Sequence, residues 1–302
     1  SGYLAALKVL EMVEQATEED LFIGAMSGGN SSLMACPVEQ ITLQEEIETR
    51  DIMLKSGANV IEVNAVDRHI SRVNGGHLAK RIEEIGAEMI SFLIMDAIGF
   101  PPVLDPAKPT YFGATSMGPD ITTLEDAKAA IRNYNVEDKL PKSVIEFFKN
   151  CTEEDETPKT LKRWTPYIIN TLPDASNIAK EEAQKMGYQA MVLTNYLSGE
   201  AKEAGTVLAN IAQEIQDSGQ PMKAPCVVIA TGEVSTKIGP KEKIGIGGPG
   251  QELSTSFAIS AAKAKGICIA SIDSEGTDGP TDAAGGLTDS KTLKEAEKIG
   301  ID

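Results

Sequence analysis

Short apolar runs recur along this chain, and each stops on glycine, serine, threonine or aspartate. Leu21-Phe22-Ile23-Gly24-Ala25-Met26 stops at Ser27-Gly28-Gly29, Glu88 to Met95 stops at Asp96, and Cys226 to Ala230 stops at Thr231-Gly232. Runs of that length read as buried strands. Between them lie segments with helical spacing: Leu4 to Gln15, a helix opened by the capping box Thr42-Leu43-Gln44-Glu45 and running towards Ser56-Gly57, and Glu200 to Asp217. Thr122, Leu124 and Glu125 predict a second capping box before a helix over Ala127 to Tyr134. Tyr167 to Leu172 and Ala190 to Thr194 read as strands flanking a helix from Ser176 to Met186. Strand and helix alternate throughout, which predicts an α/β layered fold with ligand groups at the carboxyl ends of strands.

At 302 residues the chain has room for two such domains. Asp217-Ser218-Gly219-Gln220-Pro221 has the composition of a hinge and divides the sequence into 1–217 and 218–302. After it come the strand at Cys226, a Gly/Lys-rich loop, a helix from about Glu252 to Lys263 and a strand at Ile267 to Ile272. The acidic run Thr152-Glu153-Glu154-Asp155-Glu156-Thr157-Pro158 reads as a solvated loop.

A net charge of −17 opposes binding to nucleic acid or to anionic membranes, because both partners are polyanions. A phosphorylated small molecule stays allowed if cations, glycines or helix ends are placed locally. Cys36, Cys151, Cys226 and Cys268 are far apart and form no C-x-x-C pair, so zinc and redox-dithiol chemistry are not indicated. With no signal peptide and no apolar run long enough for a bilayer, the reading is a cytoplasmic protein.

Four segments could carry chemistry. Ser27-Gly28-Gly29-Asn30-Ser31, directly after a strand, could aim backbone N–H groups and hydroxyls at an anion. It also serves as a plain strand-to-loop turn, and the residues leave both readings open; it is neither a Walker loop nor G-x-G-x-x-G. Asn64 to Arg72 holds Arg68, His69 and Arg72, followed by Val73-Asn74-Gly75-Gly76-His77. If the segment is helical, Arg68 and Arg72 share a face and could clamp a carboxylate or phosphate; the alternative is an exposed basic turn pairing with this acidic chain's own carboxylates.

The third segment is Ala230-Thr231-Gly232-Glu233 with the glycine-dense run Gly245-Ile246-Gly247-Gly248-Pro249-Gly250-Gln251-Glu252. Feeding a helix, it suits an anion at a helix N-terminus; a flexible surface loop rich in Lys237, Lys241 and Lys243 fits as well. The fourth is Gly276-Thr277-Asp278-Gly279-Pro280-Thr281-Asp282-Ala283-Ala284-Gly285-Gly286. Its two carboxylates, four apart among small residues, suit Mg²⁺ accompanying a nucleotide phosphate. Asp96 at its strand end is a further candidate.

In order and composition these segments resemble the type II glycerate 2-kinase family, whose C-terminal part is the MOFRL domain. The family's Ser-Gly-Gly-Gly-Ser turn is similar to Ser27–Ser31, with Asn30 replacing a glycine. Its Asn-x-Val-x-Lys-His-x-Ser segment is similar to Asn64–Ser71, with Arg68 replacing the lysine. Pro119-Asp120-Ile121-Thr122-Thr123, together with Gly113-Ala114-Thr115, is similar to a third family stretch. The late Gly-Thr-Asp-Gly signature is matched most closely, by Gly276 to Gly285. The chain departs from the family at Pro249-Gly250, where an Arg-Asn pair is usual, and at Phe100, where an Asp is usual. It opens without the family's early glycine-rich strand and stops before its terminal Thr-Gly-Thr-Asn strand, as a fragment or a member shortened at both edges would.

The resemblance implies two three-layer α/β domains with a cleft between them, and Mg²⁺-assisted transfer of the ATP γ-phosphate to the 2-hydroxyl of D-glycerate. On that reading Ser27, Gly28, Gly29, Asn30, Ser31, Gly247, Gly248 and Gly250 cradle phosphate. Arg68 and Asp96 are catalytic, while Asn64, His69, Arg72 and Glu233 bind the substrate. Asp278 and Asp282 hold the metal, and a homodimer is allowed. Two competing readings remain. One is a binding or regulatory homologue without turnover, motivated by Pro249; the other is a hydroxypyruvate reductase, which lacks a dinucleotide fingerprint.

Overall fold

Polar side chains set the helix starts. In the computed structural model, which describes residues 2–98, 116–237 and 245–301, Thr42 caps the following helix by the reciprocal arrangement its Thr-x-x-Glu spacing predicts. Its hydroxyl accepts from Glu45 N at 3.3 Å, while Glu45 Oε2 accepts from Thr42 N at 2.8 Å. The second box is shifted by one residue: Thr123 is the cap and Asp126 its partner, at 3.1 and 2.8 Å. Thr122 instead turns its hydroxyl to Asp120, at 2.6 Å.

The elements run α1 (Gly2–Glu14), β1 (Leu21–Met26), α2 (Asn30–Leu33), α3 (Leu43–Lys55), α4 (Val60–His69), α5 (His77–Ile85), β2 (Glu88–Met95), α6 (Leu124–Asn133), α7 (Lys142–Asn150) and β3 (Trp164–Thr171). They continue as α8 (Leu172–Lys185), β4 (Gln189–Glu200), α9 (Ala201–Ser218), β5 (Cys226–Ser235), α10 (Pro249–Ser260), β6 (Cys268–Ile272), β7 (Gly285–Asp289) and α11 (Thr292–Lys298). The chain divides into two α/β units: one draws on Ser1–Ile94 and Pro101–Ile169, the other on Met95–Phe100 and Asn170–Asp302. The division falls near residue 169, and Asp217–Pro221 lies inside the second unit, between α9 and β5.

In the first unit the sheet order is β1-β2-β3, and β1 runs parallel to β2 in the register Leu21↔Glu88 to Met26↔Leu93. The Trp164 indole N–H crosses from β3 to Ser91 Oγ on β2, at 2.8 Å. Apolar residues of α3, α4, α6 and α7, among them Met53, Val66, Ile131, Val144 and Phe147, form a buried core. Removing a chain this apolar from water is the main force holding the four helices together. The strands differ from the fully buried reading. Leu21 and Ile23 on β1, Phe92 on β2 and Tyr167 on β3 are exposed, with Phe92 and Tyr167 stacked at 5.7 Å. Their alternation was hidden because both faces of these strands are apolar.

The second unit holds a parallel β4-β5 pair and an antiparallel β6-β7 pair. Helices α9 and α10 pack closely through small residues. A Cβ on Gly205 would lie 2.3 Å from the Leu253 carbonyl oxygen, so the backbones approach only because that position is glycine. Ala201 and Ala204 pack with Leu253, and Ala209 and Ala261 with Phe257.

Candidate functional site

The Ser27–Ser31 turn closes β1 and leads into α2. Gly29 has φ of 77°, a conformation that glycine adopts without strain. Ser27 and Ser31 are exposed; the Asn30 side chain lies outside the described residues. The single helical turn is tied down from outside: Asn74 Nδ2 donates to the Ser31 carbonyl at 3.0 Å, and Ser116 Oγ donates to Asn74 Oδ1 at 3.2 Å. This turn has the hydroxyls and the open surface that an anion site requires.

The Asn64–Arg72 segment is arranged differently from the reading above. Helix α4 ends at His69, capped by Ile70, so Arg72 lies past it and does not share a helical face with Arg68. Chain beyond the helix is extended: Ser71 bridges to Pro37, and Arg72 N donates to the Cys36 carbonyl at 2.7 Å. The Arg68 guanidinium, 11% exposed, donates to Asp120 Oδ1 at 2.9 Å, and the Asp120 carboxylate is fully buried. Among the described residues Arg72 pairs with Glu39, at 3.9 Å, and Asn64 sits half-buried one helical turn before Arg68.

His69 is 1% exposed, and both its ring nitrogens are used by the protein. Nδ1 lies 2.6 Å from the Ala65 carbonyl and Nε2 lies 2.8 Å from Glu156 Oε1. Both ring nitrogens thus lie against oxygens of the protein, and the ring holds α4 to the 156–157 segment. It is therefore a structural link and has no nitrogen to offer a ligand. Glu156 is the residue that the reading missed, since the acidic run containing it looked solvated. Its carboxylate accepts from His69, from Lys159 Nζ at 2.8 Å, and from the backbone N–H groups of Thr157 and Leu124 at 3.0 and 2.9 Å. Burial opposes its ionisation, but the hydrogen bonds from His69, Lys159 and Leu124 outweigh it and hold the carboxyl well below the usual carboxylate range. Four charged or polar residues before it, Thr152 to Asp155, and Thr157 after it masked this inward-facing carboxylate.

Gly75 and Gly76 serve packing. Both have positive φ, of 66° and 82°. A Cβ on Gly75 would lie 2.8 Å from Arg68 Cβ, and one on Gly76 would lie 2.4 Å from the Gly118 carbonyl oxygen. His77, which follows, is pushed down to about 4 by burial and then by the charges of His69, Lys80 and Arg81, so its ring is neutral near neutral pH.

Two segments that the sequence presents separately, 245–252 and 276–286, form one interlocked structure in the second unit. Asp278 is fully buried, and its two carboxylate oxygens accept from Gly250 N at 3.1 Å and from Gln251 N at 2.7 Å. These are first-turn N–H groups of α10, whose first position is Pro249. An internal carboxylate thus sits at this helix N-terminus, where a ligand's phosphate was expected. The glycines make room for it. A Cβ on Gly248 would lie 2.1 Å from Asp278 Oδ1, and one on Gly279 would lie 2.3 Å from the Gly247 carbonyl oxygen. Gln251 Nε2 donates to Thr281 Oγ1 at 3.0 Å, and Thr281 Oγ1 donates to the Asp278 carbonyl at 2.7 Å.

Asp278 and Asp282, read as a metal pair, stand in different surroundings. The Asp278 oxygens face N–H donors, Asp282 is exposed, and among the described residues no three acidic, histidine or cysteine side chains gather as ligands. Asp96, half-buried beyond β2, accepts from Ser274 Oγ at 2.9 Å in the same unit. Glu233 is exposed on β5, opposite Ser198 of β4. Lys241, Lys243, Gly99, Phe100 and Gly113-Ala114-Thr115 lie outside the described residues.

With this geometry in place, the chain can be compared with known proteins. Residues 1–149 match the family described as "Domain of unknown function (DUF4147)", and residues 226–302 match the MOFRL family. The chain is 38% identical over 303 residues to a protein of Pyrococcus horikoshii named "Glycerate 2-kinase", covering 99% of this chain and 66% of that protein. It is 33% identical over 297 residues to "D-glycerate 2-kinase" of Thermotoga maritima, covering 98% of this chain and 66% of the relative. The crystal structure of a glycerate kinase from Thermotoga maritima superposes with a TM-score of 0.78 at 33% identity, covering all of this chain and 68% of that one. The chain thus spans about two thirds of the length of these relatives. On these matches, which run along nearly its whole length, the chain belongs to the glycerate 2-kinase family with a C-terminal MOFRL module.

Proposed function

We propose that this protein is an ATP-dependent kinase that phosphorylates the 2-hydroxyl of D-glycerate. The observation that carries the reading is its 38% identity, over 99% of its residues, to a relative named for that activity. Within the first unit the Ser27–Ser31 turn is the phosphate-holding element, through its backbone N–H groups and the exposed hydroxyls of Ser27 and Ser31. Arg72 is the cation for a substrate carboxylate, and Asn64 on α4 is a further polar group for the substrate. In the second unit Asp96, Glu233 and Asp282 are the carboxylates offered to substrate or metal.

Arg68, His69, Glu156 and Asp278 build the scaffold. Mg²⁺ accompanying the nucleotide is part of the proposal, but Asp278, whose oxygens already accept from the Gly250 and Gln251 N–H groups, fits it poorly. What the chain's own residues supply is positioning and hydrogen-bond donation to the phosphates, which is the main protein contribution in phosphoryl transfer. Action in the cytoplasm, as a monomer or a homodimer, belongs to the same reading, supported by four free cysteines and the strong negative charge. No helix among the described residues is long and apolar enough to cross a membrane. The module boundary near residue 217 is likewise proposed, since the MOFRL match starts at 226.

Incubation with ATP, Mg²⁺ and D-glycerate should release ADP and form 2-phosphoglycerate, distinguished from the 3-phosphate by phosphorus NMR. Absence of ADP release with D-glycerate and other C3–C4 hydroxy acids, alongside ligand binding by calorimetry, would favour a non-catalytic binding protein. NADH oxidation with hydroxypyruvate would favour a reductase.

A further inference from the structure

Helix α2 is four residues long, Asn30–Leu33. One helical turn does not hold itself, because nucleation costs more than a single hydrogen bond returns. Its internal bond is Leu33 N to the Gly29 carbonyl at 3.2 Å. Among the described residues, a tie from elsewhere in the fold is the Asn74 side chain, 8% exposed, whose Nδ2 donates to the Ser31 carbonyl at 3.0 Å. That amide is itself fixed on every side. Ser116 Oγ donates to its Oδ1 at 3.2 Å, and the Ser116 carbonyl accepts from Ala79 N of α5 at 3.1 Å. The Asn74 backbone N–H donates to Ser71 Oγ at 3.0 Å, and its carbonyl accepts from His77 N at 3.3 Å. The Ser31 carbonyl can only accept, so the amide nitrogen must face it, which settles the orientation of the group.

We propose that Asn74 is the positioning residue that holds the Ser27–Ser31 turn in the shape a phosphate needs, by donating its side-chain amide to the Ser31 carbonyl. This rests on the reading of that turn as the phosphate-holding element. Asn74 touches no ligand in this scheme; it acts through the backbone of the turn. A buried Asn that satisfied only its own surroundings would not need a donor on this carbonyl, and a hydrophobic residue of similar size would serve. Because the amide has both its oxygen and its nitrogen engaged, its removal frees one carbonyl on the turn and one hydroxyl on Ser116.

Asn74→Asp keeps the shape but replaces the donor with an acceptor facing a carbonyl. Asn74→Ala removes the amide without adding charge, and serves if the Asp variant does not fold. Ser116→Ala leaves the donor to Ser31 in place. Hydrogen exchange read by mass spectrometry should show at least ~10-fold faster exchange for residues 28–33 in the Asn74 variants, with α10 unchanged. Ser116→Ala should change the same residues by less than about threefold. The KM for ATP should rise about tenfold in the Asn74 variants with kcat nearly unchanged, the pattern of lost uniform binding. Unchanged exchange at 28–33, or equal acceleration throughout the unit, would overturn the positioning role, as would an unaltered KM for ATP. If the native chain releases no ADP, the kinase reading fails, while the exchange comparison still decides whether Asn74 holds the turn.

Discussion

Asp278 lies against Gln251, its Oδ2 accepting the backbone N–H at 2.7 Å, while its Oδ1 accepts from Gly250 at 3.1 Å. One carboxylate thereby satisfies two first-turn donors of α10 from a loop 27 residues away. This contact is local electrostatics used for folding: a negative group at the positive end of a helix, removed from water, with its own lone pairs satisfied. It also accounts for two glycine-dense segments at once, since neither could approach the other if side chains intervened.

Asp278→Asn should destabilise the second unit, because one oxygen becomes an N–H group facing N–H donors. The expected loss is about 1–3 kcal/mol, the range for a lost cap and a buried polar group left unpaired. Urea unfolding followed by circular dichroism checks it; a midpoint within error of the native chain would contradict the cap assignment.

Gly248→Ala probes the space that Asp278 fills. Gly248 has φ of −147°, so the backbone itself accepts alanine, and any loss is steric. With the new Cβ placed 2.1 Å from Asp278 Oδ1, overpacking should cost about 1–3 kcal/mol. Gly247→Ala, where nothing lies within 4 Å of an added Cβ, is the control and should be nearly neutral in the same thermal unfolding experiment.

The pair Arg68–Asp120 should show strong coupling. Arg68→Met strands a fully buried Asp120 carboxylate that otherwise has, among the described residues, the Thr122 hydroxyl and N–H, and should cost about 3–5 kcal/mol. Adding Asp120→Asn should recover part of that loss. A double-mutant cycle measures the difference, and additive effects would mean that the ion pair contributes nothing.

Glu46 sets a pH dependence on the first unit. Burial, and then the charge of Asp67, push its carboxyl up to about 7 against the pull of Arg50; burial likewise pushes Asp67 up to about 6, opposed by its ion pair with Arg50. Glu46 Oε2 and Asp67 Oδ1 are both buried with no hydrogen-bond partner. A carboxyl whose folded value lies above its ordinary one favours folding while protonated. Its stabilising contribution is full below the ordinary value near pH 4.5 and is lost as pH rises to about 7. Glu46→Gln should therefore be more stable than the native chain at pH 8 by about 1–2 kcal/mol, allowing for partial exposure, and equal to it near pH 4. Melting curves at several pH values test this; parallel profiles would remove Glu46 as the source.

Much of the layout was legible in sequence. The Thr42 box, the strands ending at Met26 and Met95, and the helix read to Asp217, which runs to Ser218, follow from local chemistry, in which a cap, an apolar run or a glycine acts within a few residues of itself. The Ser27–Ser31 turn was legible for the same reason, since strand end and glycines are adjacent in the chain. Helices α5 and α7 and strand β7, the partner of the predicted β6, were missed because each is short, at nine, nine and five residues.

Site roles were less legible. Arg68, His69 and Asp278 have the residue types of a ligand site, and only their partners reveal that Asp120, Glu156 and the α10 N-terminus already occupy them. Those partners stand 52, 87 and 27 residues away along the chain. By itself the sequence determined an α/β chain of this family, its helix caps and the glycine turn after β1, because these depend on interactions within a few residues. Tertiary structure alone decided which charged groups are scaffold and which face outward. A charge's role depends on what burial brings beside it, and residue type does not encode that partner.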